Sequence, residues 1–308
     1  GYEYDQFARA AKKVVIDIDA SAHKKRTINI DMLCECDANA FITTLSSQME
    51  ERQMTFSRSW LDRCISWRTR YPVSLPEYAL RKDRVNLYYF MDFLSAKLGS
   101  EDIVVTDAGS AFYAGCQAVK IRQGMRYITS GGFATMGFSV PASIGACVAS
   151  GNRRVMCITG DGSLQLNIQE LQTIVHHGYP VKMFIFNNGG YLSIRTTQSR
   201  FFENRLIGEG STSGVSFPDL KKIANAYGIP FYRIRDNQDL GPIIEKVITT
   251  EGPALCEVMT PGDQEIIPTV SSQKMEDGTM VSKPLEDMYP FLDRKEFLSN
   301  MLVRPLDN

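Results

Sequence analysis

The sequence predicts an α/β protein whose main body is a doubly wound parallel sheet, preceded by the end of a second α/β domain. Three observations predict it. From Val85 onward, short apolar runs alternate with helical segments of about ten residues. The runs are continuously apolar, as strands covered on both faces are. Several end directly in turns rich in Gly, Asp and Asn, at the strand ends where such sheets bind ligands.

Val14 to Asp19 is an apolar run ending in acid, which suits a buried parallel strand. A second short strand is expected over Ile28–Ile30 and a helix over Ala38–Met49. Gly1 to Ala11 reads as the tail of an amphipathic helix, an unusual way to begin, so the sequence is expected to be the C-terminal part of a longer chain. Residues 51–84 are richer in Arg, Trp, Ser and Pro and are expected to link two domains. The regular alternation follows. Helices are expected at Val85–Lys97, Ser139–Ala149, Asn167–His176, Phe217–Tyr227 and Leu240–Thr249. Strands are expected at Ile103–Thr106, Val155–Thr159, Val181–Phe186, Phe231–Ile234 and Ala254–Met259. Strand–helix–strand units of this kind make right-handed crossovers and a parallel sheet. The organisation is therefore 1–50, the end of one α/β domain; 51–84, a linker; 85–262, the main domain; and 263–308, a tail with a short helix near Arg294–Met301.

Composition narrows the function. The chain has 308 residues, 44% hydrophobic and 22% charged, with a formal net charge of -1. That length suggests about two domains, and the charge offers nothing to nucleic acid or an anionic membrane. No stretch is long enough to span a bilayer. The seven cysteines are scattered without a CxxC pair, which points to a reducing, cytoplasmic setting rather than a disulfide framework. Cys34 and Cys36 lack further ligands at zinc spacing. His176 and His177 end a predicted helix before Gly178, where a role at the helix terminus outweighs one as general base.

The residues that carry chemistry follow the strands. Gly160-Asp161-Gly162-Ser163 comes directly after one strand and opens a helix. Two glycines allow close approach to an anion, Ser163 and free N–H groups can donate to a phosphate, and Asp161 is a hard oxygen ligand suited to Mg²⁺. Alone, Gly-Asp-Gly is also an ordinary turn. Asn187-Asn188 changes the weight, because 24 residues separate Gly162 from Asn187, room for one helix and one strand. The two loops should then emerge side by side, with Asp161, Asn188 and a backbone carbonyl near Gly190 as metal ligands. Asp107-Ala108-Gly109-Ser110 follows a third strand.

Gly-Asp-Gly followed by Asn-Asn at this spacing resembles the signature of thiamine diphosphate enzymes, and the likeness runs from about Val85 to Thr260. Gly131 to Gly145 is similar to the pyrimidine-wedging loop and following helix of acetolactate synthases. The resemblance implies a thiamine diphosphate-binding fold, with residues 1–50 as the remnant of the family's central domain. It implies that Met136 wedges the cofactor and that a carbonyl near Thr135 accepts from its amino group. Gly109, Ser110, Gly160, Gly162, Ser163, Tyr191 and Leu192 would complete the cofactor contacts beside the metal ligands. Phe201-Phe-Glu-Asn-Arg205 is similar to the aromatic pair and Arg that follow this loop. Two departures stand out: Leu192-Ser193 where Gly-Met is usual, and Thr197 where a Trp usually narrows the acceptor pocket. Ser193 and Thr197 are thus candidates for a more polar substrate pocket.

The implied activity is decarboxylation of a pyruvate-like 2-oxo acid with carboligation to a second carbonyl, by a homodimer or homotetramer. The family's activating Glu sits on an N-terminal domain, and no candidate for it occurs here. Asp17 and Asp19 mark where the central domain of some relatives meets a flavin, but with the rest of that domain missing, bound FAD is not expected. The alternatives are a simple 2-oxo acid decarboxylase, acyl-anion transfer to a sugar-like acceptor, or, from another class, a non-catalytic nucleotide-binding or scaffold module. Against the last, no GxGxxG or GxxxxGK[ST] follows a predicted strand.

Overall fold

The computed structural model describes residues 4–25, 27–274 and 280–306. The chain divides into two compact units, one made of residues 1–68 and 267–308 and the other of residues 69–266. Residues 267–308 fall in the same unit as the start of the chain, and residues 69–84 in the larger unit.

In the smaller unit, β1 (Val14–Asp17) pairs in parallel with β2 (Met32–Glu35), Val14 opposite Met32. The expected strand at Ile28–Ile30 is thus displaced to Met32–Glu35. Asp31 accepts from the Lys13 amide at 2.7 Å, which fixes the register one residue before the pairing starts. Helix α1 (Ala38–Glu51) is capped by Asp37, whose carboxylate accepts from the Ala40 amide. The stretch expected as a linker contains helix α2 (Arg58–Arg70). Trp60, Leu61, Cys64 and Trp67 recur there at helical spacing, and the prolines that suggested a linker come only after it. The chain start is a 3-10 turn at Tyr4–Gln6, not an α-helix, and Gly1–Glu3 lie outside the described residues. An antiparallel pair, Ser272–Lys274 with Met280–Ser282, and a helix, Arg294–Asn300, complete the unit. Of the expected tail, residues 275–279 and 307–308 lie outside the described residues.

The larger unit opens with α3 (Leu87–Lys97), started by Asn86, whose side chain accepts from the Tyr88 and Tyr89 amides. Then come β3 (Ile103–Thr106), α4 (Ser110–Ala118), β4 (Arg126–Thr129), α5 (Ser139–Ala149) and β5 (Val155–Gly160). The short α6 (Asp161–Leu164) leads to α7 (Glu170–His177), which ends at a left-handed Gly178. Next are β6 (Val181–Asn187), α8 (Leu192–Phe201), α9 (Leu220–Ala226), β7 (Phe231–Ile234), α10 (Asn237–Thr249) and β8 (Ala254–Met259). The helix expected from Phe217 begins three residues later because Asp219 caps it, accepting from the Lys221 and Lys222 amides.

All six strands are parallel, in the order β4-β3-β5-β6-β8-β7. The central strands β5 and β6 are buried along almost their whole length, as their unbroken apolar sequence requires. One face packs Phe90 of α3 edge-on against Phe184 and Phe186 at 5.3 and 5.2 Å. The other packs Val105, Cys157, Met183 and Ile185 against Val140, Leu171, Ile174 and Leu220 from the helices. The chain leaves β3 first toward β4 and then returns to β5 on the other side. Strand order reverses there, which opens a crevice between the carboxyl ends of β3 and β5.

Candidate functional site

The three strand-end loops meet in that crevice. Because β3, β5 and β6 are hydrogen-bonded in sequence across the sheet, the segments after Thr106, Gly160 and Asn187 emerge as neighbours. They line a cavity of 290 Å³. Of the residues singled out from sequence, Gly109, Ser110, Met136, Gly160, Asp161, Gly162, Ser163, Asn188, Gly190, Tyr191, Leu192 and Ser193 all line it. Thr135 and Thr197 do not. Thr135 is exposed, with its amide donating to Ser130 Oγ, and Thr197 is exposed on α8.

Asp161 is the electrostatic centre of the cavity and is buried. Its Oδ1 accepts from the Gly162 amide at 2.9 Å, and its Oδ2 from the Gly189 and Gly190 amides at 3.0 and 3.3 Å. Burial raises its carboxyl to about 6, against the opposing pull of those three N–H groups and the Arg195 charge. The two asparagines divide their work. Asn187 donates to Glu257 at 2.6 Å and accepts from the Gly189 amide, so its side chain is spent on structure. Asn188 Oδ1 is buried with no hydrogen-bond partner. An orphaned amide oxygen beside a carboxylate is the donor set of a hard cation that shares its shell with phosphate oxygens. Among the described residues there is no cluster of three or more His, Cys, Asp and Glu, so a softer metal has no such site.

Glycine makes the room. A Cβ on Gly162 would lie 2.4 Å from the Tyr191 ring, which is itself held edge-on against Phe217. Gly109 takes a positive φ of 62° where the chain turns from β3 into α4. The Met136 loop is tied to the sheet by Asp107. That carboxylate accepts from the Gly137 amide at 3.0 Å, and from the amide and hydroxyl of Ser139 at 3.0 and 2.7 Å.

Sequence reading passed over Asp107 as an anchor, Tyr113, Ala134 and Ile194 as cavity lining, and the ion pair of Arg195 with Glu209 behind the Asn188–Gly190 turn. A buried strand ending in Asp was the available signal for Asp107; no spacing rule announces the others. In the smaller unit, Asp17 accepts from or pairs with His23 at 2.9 Å and Asp19 caps a 3-10 turn, so both acids are engaged locally. Among the described residues, no helix is long and apolar enough to cross a membrane.

Comparison with known proteins agrees with this geometry. The model of the thiamine pyrophosphate enzyme C-terminal TPP binding domain matches residues 107–258. An acetolactate synthase large subunit from Cyanidium caldarium is 31% identical over 277 residues, covering 88% of this chain and 46% of the relative. Acetolactate synthase 2, chloroplastic, from Nicotiana tabacum is 31% identical over 276 residues, covering 87% and 41%. The large subunit from Parasynechococcus marenigrum is 32% identical over 285 residues, covering 91% and 44%. The chain thus spans less than half the length of these relatives.

Proposed function

The chain belongs to the thiamine pyrophosphate enzymes through its C-terminal cofactor-binding domain, and from that premise we propose that it is the diphosphate- and Mg²⁺-holding half of an acetolactate synthase-like carboligase. Its substrates would be a pyruvate-like 2-oxo acid and a second carbonyl compound. The observation that carries the reading is the orphaned Asn188 Oδ1 in the same cavity as the buried Asp161 carboxylate.

Asp161, Asn188 and the Gly190 carbonyl would hold Mg²⁺. Gly109, Ser110, Gly160, Gly162 and Ser163 would hold the diphosphate through backbone N–H groups and hydroxyls. Met136 would orient the aminopyrimidine, with Tyr191 and Leu192 also in the cavity wall. When bound, thiamine diphosphate supplies the electron sink that lets a 2-oxo acid lose CO₂. The residues of this chain bind and orient it and exclude water from the crevice. The activating Glu would come from the family's N-terminal domain, in a cytoplasmic homodimer or homotetramer in which bound FAD is possible but not expected.

A second reading concerns the acceptor only. Tyr113 and Ser193 are lining residues that carry hydroxyls and are not assigned to the cofactor, which favours a polar, sugar-like carbonyl over an apolar one.

The test is calorimetric titration of thiamine diphosphate, with and without Mg²⁺, into the full-length protein and its Asp161→Ala variant. Binding should require Mg²⁺. Asp161→Ala should weaken it by more than about 100-fold, beyond the loss typical of groups one step removed from a metal. A folded wild-type protein that binds no thiamine diphosphate would sink the proposal.

A further inference from the structure

Arg195 sits on α8, outside the cavity lining, yet its guanidinium reaches behind the Asn188–Gly190 turn. Nε donates to Glu209, whose side chain is 3% exposed. Nη1 donates to the Gly262 carbonyl at 2.7 Å and the Asn188 carbonyl at 3.3 Å, and Nη2 to the Gly189 carbonyl at 3.3 Å. The planar fork joins three separate segments: the turn after β6, the segment around Glu209, and the chain after β8.

The space for it is built by glycines. A Cβ on Gly190 would lie 2.7 Å from Nη2 and 2.0 Å from the Glu209 carbonyl oxygen. One on Gly210 would lie 3.2 Å from Nη2, and one on Gly262 3.0 Å from Nη1. A side chain at Gly190 would collide with the Glu209 backbone as well as the guanidinium, and one at Gly210 or Gly262 would press the guanidinium by a few tenths of an ångström.

The polar groups of the turn are thereby divided. The Gly189 and Gly190 amides face Asp161 Oδ2, while the Asn188 and Gly189 carbonyls face Arg195. The Gly190 carbonyl accepts no hydrogen bond among the described residues. We propose that Arg195 is a positioning residue: by occupying the Asn188 and Gly189 carbonyls from behind, it leaves the Gly190 carbonyl as the turn's backbone ligand for the cation, and Glu209 fixes the fork that does so. The inference rests on the reading of the site given above. Lysine cannot replace this arrangement, since its ammonium is a point charge without the fork that spans separate acceptors.

The experiment uses Mn²⁺ as a spectroscopic substitute for Mg²⁺. Binding of Mn²⁺ to the full-length protein with thiamine diphosphate is followed by electron paramagnetic resonance for wild type, Arg195→Lys and Arg195→Met, with Mg²⁺ and Ca²⁺ as competitors. Both variants should weaken Mn²⁺ binding by about 10- to 100-fold. They should also lower the preference for Mg²⁺ over Ca²⁺, because a loosened carbonyl suits the longer and more flexible Ca²⁺ shell. A merely structural role would weaken both cations alike. If Arg195→Met, which strands the buried Glu209, fails to fold, Arg195→Lys decides the matter. Wild-type affinity and cation preference in Arg195→Lys overturn the inference while leaving the site intact. A wild-type protein that binds no Mn²⁺ overturns the site and the inference together.

Discussion

The larger unit surrounds its sheet, whereas the smaller one leaves its apolar residues in the open. In residues 69–266, Phe90, Phe184, Phe186, Leu171 and Ile174 are fully buried between sheet and helices. In residues 1–68 and 267–308, Pro284 and Phe297 are the only apolar residues, among those described, that are buried. Ile42 is 58% exposed, Trp60 52% and Phe56 71%. The difference follows from strand number. A six-stranded parallel sheet offers two broad faces that helices can cover. The two strands β1 and β2 are too few to shelter α1 and α2, which leaves these apolar side chains uncovered. The site lies wholly in the unit that closes on itself.

The strongest way to break this contrast is a pair of truncations. Phe184→Ala should cost the larger unit about 3–5 kcal/mol in urea unfolding, as for a large side chain removed from a packed core. Ile42→Ala should cost less than about 0.5 kcal/mol. Equal costs would mean that Ile42 is covered in the full-length protein and would redefine the smaller unit as an interface. A smaller effect tests how the site borrows the packing of the larger unit. Gly162→Ala drives a methyl into the Tyr191 ring, which Phe217 keeps from retreating. The expected cost is about 1–3 kcal/mol of stability, accompanied by weaker thiamine diphosphate binding in calorimetry. Retained stability and binding would show that the crevice is more compliant than its contacts suggest.

The smallest effect is electrostatic. Lys182 lies buried in β6, with its ammonium donating to the Thr250 and Gly252 carbonyls and no ion pair among the described residues. Burial, helped by the Arg154 charge, lowers it to about 8. Between about pH 8 and its unfolded value of 10.5, the unfolded chain holds a proton that the native state has released. Stability from this group therefore rises with pH across that window, by about 1 kcal/mol per pH unit at most. The stability difference between wild type and Lys182→Met should shift toward wild type from pH 8 to 10. A flat difference would mean that the two carbonyls keep the lysine charged.

What the sequence disclosed follows the same division. Strands β3, β5, β6 and β8 are unbroken apolar runs, so they were legible, and with them the turns that carry Gly160–Ser163 and Asn188. Strand β4 was missed because it lies at the sheet edge and reads Arg-Tyr-Ile-Thr, without the apolar run of a doubly covered strand. Helix α8 was missed because Leu192 is its only buried residue and seven of its ten residues are polar. Helix α2 was hidden by a composition that resembles a linker although its spacing is helical. Thr197 was assigned to the pocket wall by resemblance alone, and its place on the exposed side of α8 depends on a helix phase that the sequence did not reveal. Arg195 and Glu209 meet only because the chain folds back across three glycines, and no local pattern encodes such a meeting.

The parallel ladder also determines when the site can exist during synthesis. Ile103 pairs with Val155, and Val155 with Val181, so each neighbouring pair of site loops is joined only by a long excursion of chain. Pairings at such separation form late and gain nothing from local contacts. A ribosome that has released β3 and β5 has made half a crevice with no Asn188. One that has released the turn after β6 still lacks Gly262, on which Arg195 rests. From Asp107 to Gly262 the chain is one assembly step, and no nascent fragment shorter than that has the Asn188–Gly190 turn fully braced against Arg195.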